Sequence, residues 1–281
     1  MIELVANRYG KAAIRLVRVT REPGGHRLRD LTVAIALEGG FEAAHTDGDN
    51  RLVIATDTMK NTAYAFAKDH LDGSIEAYGR ALADHFLAES QVETATVNVR
   101  SHHWSPIDVA GTPAPDAFVR GGEGTRLATI TATARGTVVE AGVEDIVVMK
   151  TARSSFSEFP RDRYTTLPDT DDRPMATKLT AIWTYGSPNL DADATFEAVR
   201  ATLLEVFADH DSSSVQASVW IMARAILERH QEIEQVRMIL PNLHHRLVDL
   251  SPFGLENDRE IYTPTTEPHG LIEATVRRSD G

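Results

Sequence analysis

Four short clusters in this 281-residue chain gather side chains of the kinds used for proton transfer and for gripping polar ligands. Tyr9-Gly10-Lys11 offers an amine, and Ala55-Thr56-Asp57-Thr58 offers hydroxyls beside a carboxylate. The stretch from Ser155-Phe156 to Arg173, through Pro160-Arg161-Asp162-Arg163-Tyr164-Thr165-Thr166-Leu167, is rich in charge and turn formers. Leu240-Pro241-Asn242-Leu243-His244-His245 supplies an amide and two imidazoles. None of the four is specific alone.

Each also has a plain structural role. Thr56 and Asp57 precede a helical pattern, and their oxygens suit the orphan N–H groups of a first turn, so capping is the favoured reading. Lys11 on a strand is ordinarily a solvated charge. Phe156 in a loop is ordinarily a plug over the core, and Arg173 beside Asp171 and Asp172 a surface ion pair of small value. Gln216, close to Ser214, is ordinarily a first-turn polar residue. His244 and His245 alternate across a strand and so point to opposite faces, which speaks against a simple two-His metal site.

Other chemistries lack their usual footprints. His45, His70, His85, His102, His103, His244 and His245 supply imidazoles, but no His-Glu-x-x-His spacing occurs, and no metal site is expected. No Gly-x-Gly-x-x-Gly, no Gly-x-x-x-x-Gly-Lys-Ser/Thr and no Gly-x-Ser-x-Gly is present. With zero cysteines the chain has no disulfide, thiolate metal site or Cys nucleophile, which fits a reducing compartment. Lys plus Arg is 29 and Asp plus Glu is 41, a net charge of −12 that repels a phosphate backbone, so nucleic acid is a poor partner. No secretory leader, membrane span of about 20 apolar residues or terminal peroxisomal signal is visible, and a cytoplasmic location is the expectation.

The elements that must position these side chains follow from periodicity. Leu31, Val33, Ile35 and Leu37 alternate with Thr32, Ala34, Ala36 and Glu38, and Ile14 to Val19 behaves similarly, with Pro23-Gly24-Gly25 between them as a hairpin turn. After Asp57 the period becomes helical through Met59, Ala63 and Phe66. Beyond Asp72-Gly73-Ser74 it continues through Ile75, Tyr78, Leu82 and Phe86. Alternation returns over Val92 to Trp104, Arg126 to Thr133 and Met175 to Tyr185, with Ala110 to Gly124 a Gly/Pro-rich connection. A second helix pair shows stripes Phe196, Val199, Leu203, Phe207 and Val215, Val219, Met222, Ile226, broken at Asp211-Ser212-Ser213-Ser214.

The two pairs repeat at nearly constant offset: Asp57 to Asp193 is 136, Ser74 to Ser213 is 139, Val92 to Ile233 is 141 and His102 to His244 is 142, against a half-length of 140.5. Two tandem units of strand, strand, helix, helix, strand, strand are therefore expected, residues 1–136 and 137–281. Each makes an antiparallel sheet with helices on one face, an α+β fold. An uncovered sheet face and open edges call for a partner, so an oligomer closed into a β-barrel is expected.

Taken together and in this order, Tyr9-Gly10-Lys11, Val53 to Thr62, Arg161 to Leu167, Ser214-Val215-Gln216-Ala217, Leu240 to His244 and Gly270-Leu271-Ile272 are highly specific, and over essentially its whole length the chain resembles the urate oxidase (uricase) family of the tunnelling fold (T-fold). The resemblance implies two T-fold units per chain and a homotetramer of two stacked barrels, with active sites at subunit interfaces. It implies cofactor-independent oxidation of urate by dioxygen and water to 5-hydroxyisourate and hydrogen peroxide, in purine degradation. Carried over, the urate slot falls on Phe156, Arg173, Val215 and Gln216, with Thr56 and Asp57 closing it. A phenyl ring stacks on the flat anion, a guanidinium fork grips its oxygens, and an amide serves the opposite edge. The relay falls on Lys11, Thr56 and His244, with Asn242 beside the dioxygen or water position. A lysine amine becomes a base near neutrality only where its surroundings lower its pKa, which His244 would tune. Electrons come from the urate dianion, so no metal or flavin is implied. Pro160, Pro174, Leu243, Arg246 and the stretch Ala110 to Gly124 depart from the family pattern. The alternative is a T-fold purine or pterin binder that does no oxidation; it would need the slot but not the three relay residues together.

Overall fold

A computed structural model describes residues 2–187 and 190–279, the side chain of Glu123 excepted. The terminal residues Met1, Asp280 and Gly281 lie outside the described residues. The described residues form eight strands: β1 (Tyr9–Glu22), β2 (Gly25–Gly39), β3 (Val92–Val109), β4 (Thr112–Thr133), β5 (Gly136–Lys150), β6 (Met175–Tyr185), β7 (Ile233–Leu247) and β8 (Tyr262–Arg277). The α-helices are α1 (Glu42–Thr46), α2 (Thr56–His70), α3 (Ile75–Leu87), α4 (Ala192–Asp209) and α5 (Val215–Arg229). The chain divides into two compact units, one of Met1–Val143 with Thr184–Phe196 and one of Glu144–Trp183 with Glu197–Gly281.

In the first unit β1 to β4 hydrogen-bond in chain order, all antiparallel, with β1 at the edge. The alternation expected in β2 is realised: Leu31, Val33, Ile35 and Leu37 are fully buried beneath α2 and α3, together with Met59, Tyr78, Leu82 and Phe86. Gly79 lets α3 lie close on the sheet, since a Cβ there would stand 2.4 Å from Ile130 Cδ1. Tyr78 also ties the helices together, its hydroxyl donating to Ala63 O at 2.8 Å. One sequence expectation fails here. Ala110 to Gly124 is no connection: β3 and β4 form one long hairpin that turns at Ala110 and Gly111, both with positive φ. Its β-branched residues and the tight turn outweigh the Gly and Pro content. The short helix α1 carries no periodic signal and was not expected.

In the second unit β7 and β8 pair antiparallel, α5 lies on them, and β8 is an edge. The core joins Val215, Val219, Met222 and Ile226 of α5 with Val199 and Leu203 of α4 and Leu179, Trp183, Met238 and Leu240 of the sheet. The helix and strand starts repeat between units at 192 − 56 = 136, 215 − 75 = 140 and 233 − 92 = 141. In each unit the helices cover one face of an antiparallel sheet that does not close on itself.

Candidate active site

In the first unit, β1 and the start of α2 bring Lys11, Thr56 and Asp57 into one neighbourhood. Tyr9 is the pin: its hydroxyl accepts from Ile54 N at 2.9 Å and lies 3.2 Å from Ile54 O, holding the segment that leads into α2. Burial of that phenol raises its pKa, so it stays protonated. Gly10 permits the close approach of β1 to β2, because a Cβ would stand 1.9 Å from Ile35 O. The register then shifts between Lys11 and Ile14, with Ala13 at φ 56°, and this bulge re-aims the strand just after Lys11.

The capping reading of Thr56 and Asp57 is overturned. Ala55 occupies the N-cap position of α2 (φ −57°, ψ 133°), and no side chain caps it. Thr56 and Asp57 therefore stand inside the first turn, past the position from which a side chain can fold back to the orphan N–H groups. The Asp57 carboxylate instead accepts from Lys60 and, at 2.9 Å, from Asn61, and these partners, the lysine foremost, with a smaller share from Lys11, hold its pKa down. The half-buried Thr56 hydroxyl has no hydrogen bond among the described residues.

In the second unit, the irregular segment between β5 and β6 folds back on itself. Phe156 and Thr170 exchange backbone hydrogen bonds of 2.8 and 3.0 Å, and Arg173 N donates to Ser154 O at 2.8 Å. This brings the Arg173 guanidinium over the Phe156 ring, 5.2 Å from its centroid, while Phe159 stacks on that ring at 4.9 Å. Arg173 is thus half-buried rather than in the expected surface ion pair; Asp172 turns its carboxylate to Ser154 N at 3.3 Å and its carbonyl to Arg259. Arg173 Nε is buried without a hydrogen-bond partner among the described residues. Burial lowers the guanidinium pKa, yet an arginine keeps its charge. A planar cation with an unspent donor against an aromatic face is suited to a flat anion.

Ser214 caps α5 by accepting from Ala217 N at 3.1 Å, which leaves Val215 buried and Gln216 exposed in the first turn. On β7, Asn242 pairs with Gly270 and His244 with Thr265, and the extra residues of β8 bulge out between those pairs. The half-buried His244 imidazole makes no hydrogen bond among the described residues. Its pKa is lowered by burial first and then by the positive charges of Arg173, Arg246 and His269, so it is neutral at pH 7. The second unit thus gathers Phe156, Arg173 and His244, with Asn242 on the same strand as His244. Sequence patterns do not single out Ser154 or His269, and they assign Asp172 to an ion pair rather than to Ser154 N. Among the described residues no group of three or more His, Asp or Glu side chains is arranged to hold a metal ion, and no helix is long and apolar enough to cross a membrane.

The sequence model of the family Uricase matches residues 7–131 and 139–273. This chain belongs to the uricase family. It is 42% identical over 278 residues to the uricase of Arthrobacter globiformis, covering 99% of this chain and 90% of that one. It is 38% identical to the uricase of Dictyostelium discoideum, covering 99% of each. The crystal structure of the Arthrobacter globiformis uricase superposes with a TM-score of 0.94 at 41% identity, covering 100% of this chain and 96% of that chain. The two-part family match falls on either side of the β4–β5 turn, and the uricase resemblance of the short motifs extends through both compact units.

Proposed function

We propose that the protein is a urate oxidase, converting urate, dioxygen and water to 5-hydroxyisourate and hydrogen peroxide without a cofactor. The observation that carries this reading is the set of unspent groups in a uricase-family chain. Among the described residues the Thr56 hydroxyl and the His244 imidazole are left without hydrogen bonds, and Arg173 lies on Phe156 with an unpartnered Nε. Urate surrenders two electrons and dioxygen is reduced to peroxide. Water adds its oxygen to the purine, and the displaced protons leave with the peroxide, so the equation balances. Phe156, Arg173, Gln216 and the backbone of Val215 and Asp57 hold the anion. Thr56 and Lys11 pass protons, His244 holds the lysine amine, and Asn242 faces the oxygen or water. A binder that does no oxidation would have no use for the three relay groups together, and each relative named above is described as a uricase. Metal-stripped protein in aerated buffer is expected to consume the urate absorbance band and release one peroxide per urate. Persistence of the band would overturn the reading.

As part of the same proposal, the protein is a cytoplasmic homotetramer, each chain contributes two T-fold units (1–136 and 137–281), and each site takes Lys11 and Thr56 from one chain and Phe156, Arg173 and Gln216 from its neighbour. The open edges of β1 and β8 support this, since an unpaired strand edge seeks a partner. Mixing an inactive Thr56→Ala chain with an inactive Arg173→Ala chain after reversible dissociation is expected to restore part of the activity. No recovery in verified mixed oligomers would contradict a shared site.

A further inference from the structure

Ser212, in the loop between α4 and α5, is almost fully buried yet uses every polar atom it has. Its backbone reaches the segment that carries Phe156, accepting from Ser155 N at 2.8 Å and donating to Arg153 O at 2.9 Å, a two-sided bridge. The same segment receives Arg173 N on Ser154 O. On the other side, the Ser212 hydroxyl lies 2.8 Å from Ser218 Oγ, in the first turn of α5, and 3.1 Å from the carbonyl of its N-cap Ser214; Val215 and Gln216 project from the same turn. Ser218, completely buried, is in turn 2.7 Å from His210 Nε2. His210 Nδ1 faces Val206 O at 2.7 Å, and since a carbonyl only accepts, Nδ1 carries a proton; in the neutral ring Nε2 accepts from the Ser218 hydroxyl. Ser218 Oγ is then the acceptor for Ser212. The end of α4 is itself fixed by Lys150, whose Nζ donates to Phe207 O at 2.8 Å and Ala208 O at 3.1 Å, and by Arg153 on Asp209 O at 3.0 Å.

We infer that the buried chain His210–Ser218–Ser212 is a positioning device for the substrate slot, setting the spacing between the Phe156–Arg173 face and the start of α5 with Val215 and Gln216. The inference rests on the urate-slot reading above. A fully satisfied buried polar network has one geometry, because any displacement strands a donor or acceptor in the interior. None of its three members reaches the ligand; they act through the two segments that do. A flat purine gripped at both edges tolerates little change in that spacing, and a slot of the wrong width weakens the grip on the ground state and the transition state alike.

The test compares Ser218→Ala, His210→Leu and His210→Gln in the full-length oligomer, by steady-state kinetics with urate and calorimetry with a non-oxidisable xanthine analogue. Ser218→Ala and His210→Leu are expected to raise the urate KM and the analogue Kd roughly tenfold, with kcat held within about threefold. His210→Gln, whose amide can donate to Val206 O and accept from Ser218, is expected to return both constants to near wild type. Unchanged KM and Kd in the first two variants, or a loss of kcat alone, would overturn the inference, as would failure of the glutamine to rescue. Should His210→Leu not assemble, Ser212→Ala carries the same expectation, since the backbone bridge survives it. A wild-type protein that leaves urate untouched would overturn the functional reading instead, and the analogue Kd values would still decide the positioning role.

Discussion

His102 and His244 stand at matching places in the two repeats, 142 residues apart on β3 and β7, and they are spent differently. His102 has both ring nitrogens engaged, Nε2 at 2.9 Å from Thr32 Oγ1 and Nδ1 accepting from Arg120 at 3.0 Å, within a network that includes Arg15, Asp30 and Trp104. His244 has burial and three positive neighbours but no bond to its imidazole among the described residues. The helix starts contrast in the same way. Asp191 caps α4 by accepting from Ala194 N at 3.0 Å, whereas α2 begins on Ala55 with Thr56 unbonded. Where one copy of a duplicated element satisfies its polar groups locally and the other leaves them open, the open copy is where function is to be sought.

The largest effects are expected where those open groups are removed. Thr56→Ala or Lys11→Met should lower urate turnover by about two to four orders of magnitude, the range for losing a proton-transfer group, while analogue affinity stays close to wild type. Because Thr56 does not cap α2, its alanine variant should also keep the wild-type unfolding free energy. A wild-type rate in either variant would sink the relay. His244→Asn should behave like them, and His102→Asn should leave turnover intact. Equal losses in both histidine variants, measured on folded protein, would erase the contrast between the repeats.

Next in size are the residues of the proposed slot. Arg173→Ala removes a charged donor fork and strands the anion's oxygens, so the analogue Kd should rise by about ten- to a hundredfold. Gln216→Ala, from an exposed position and a neutral group, should cost less. Calorimetry decides, and unchanged affinity in both would mean that the anion binds elsewhere.

Much of the fold was legible in the sequence because it rests on periodicity. The alternation at Leu31, Val33, Ile35 and Leu37 and the stripe at Val215, Val219, Met222 and Ile226 are buried as their spacing requires, and the breaks at Asp72-Gly73-Ser74 and Asp211-Ser212-Ser213-Ser214 fall at helix starts, capped by Ser74 and Ser214. The misreadings share a cause. Whether Thr56 caps depends on the backbone angles of Ala55, and whether Ala110 to Gly124 extends a hairpin depends on positive φ at two residues; neither is written in residue type. For the proposed site, the motifs supplied the residue types on which the proposal rests. The placement of Arg173 on Phe156 and the bridging role of Ser212 arise from an irregular segment folding back through backbone bonds, which any sequence can make and no pattern announces.

The caps give a smaller, purely structural contrast. Ser74→Ala and Ser214→Ala each strand an N–H group that Thr56→Ala does not, so each should cost about 1 kcal/mol of stability. Urea titration of the three alanine variants would expose the difference, and a matching loss in Thr56→Ala would restore the capping role that the structure denies it.

The smallest expected effect lies in the pH dependence of His244. Its folded pKa is below the ordinary 6.5 because burial and the charges of Arg173, Arg246 and His269 all disfavour the imidazolium. The unfolded chain therefore binds this proton more readily than the folded one. The stability it contributes is present above pH 6.5 and is lost as pH falls toward the folded pKa. If the neutral ring is the working form, the acid limb of the kcat/KM profile must also lie below 6.5. Arg246 is exposed and its side chain makes no hydrogen bond or ion pair among the described residues, so Arg246→Ala withdraws one positive charge while leaving Arg173 in place. The limb should then move up toward the ordinary value, with the alkaline plateau unchanged and the acid loss of stability reduced in step. Solvent screening at an exposed site keeps the shift small, and added salt should shrink it further in the wild type. An acid limb that stays put in the variant at low ionic strength would show that the group titrating there is not His244.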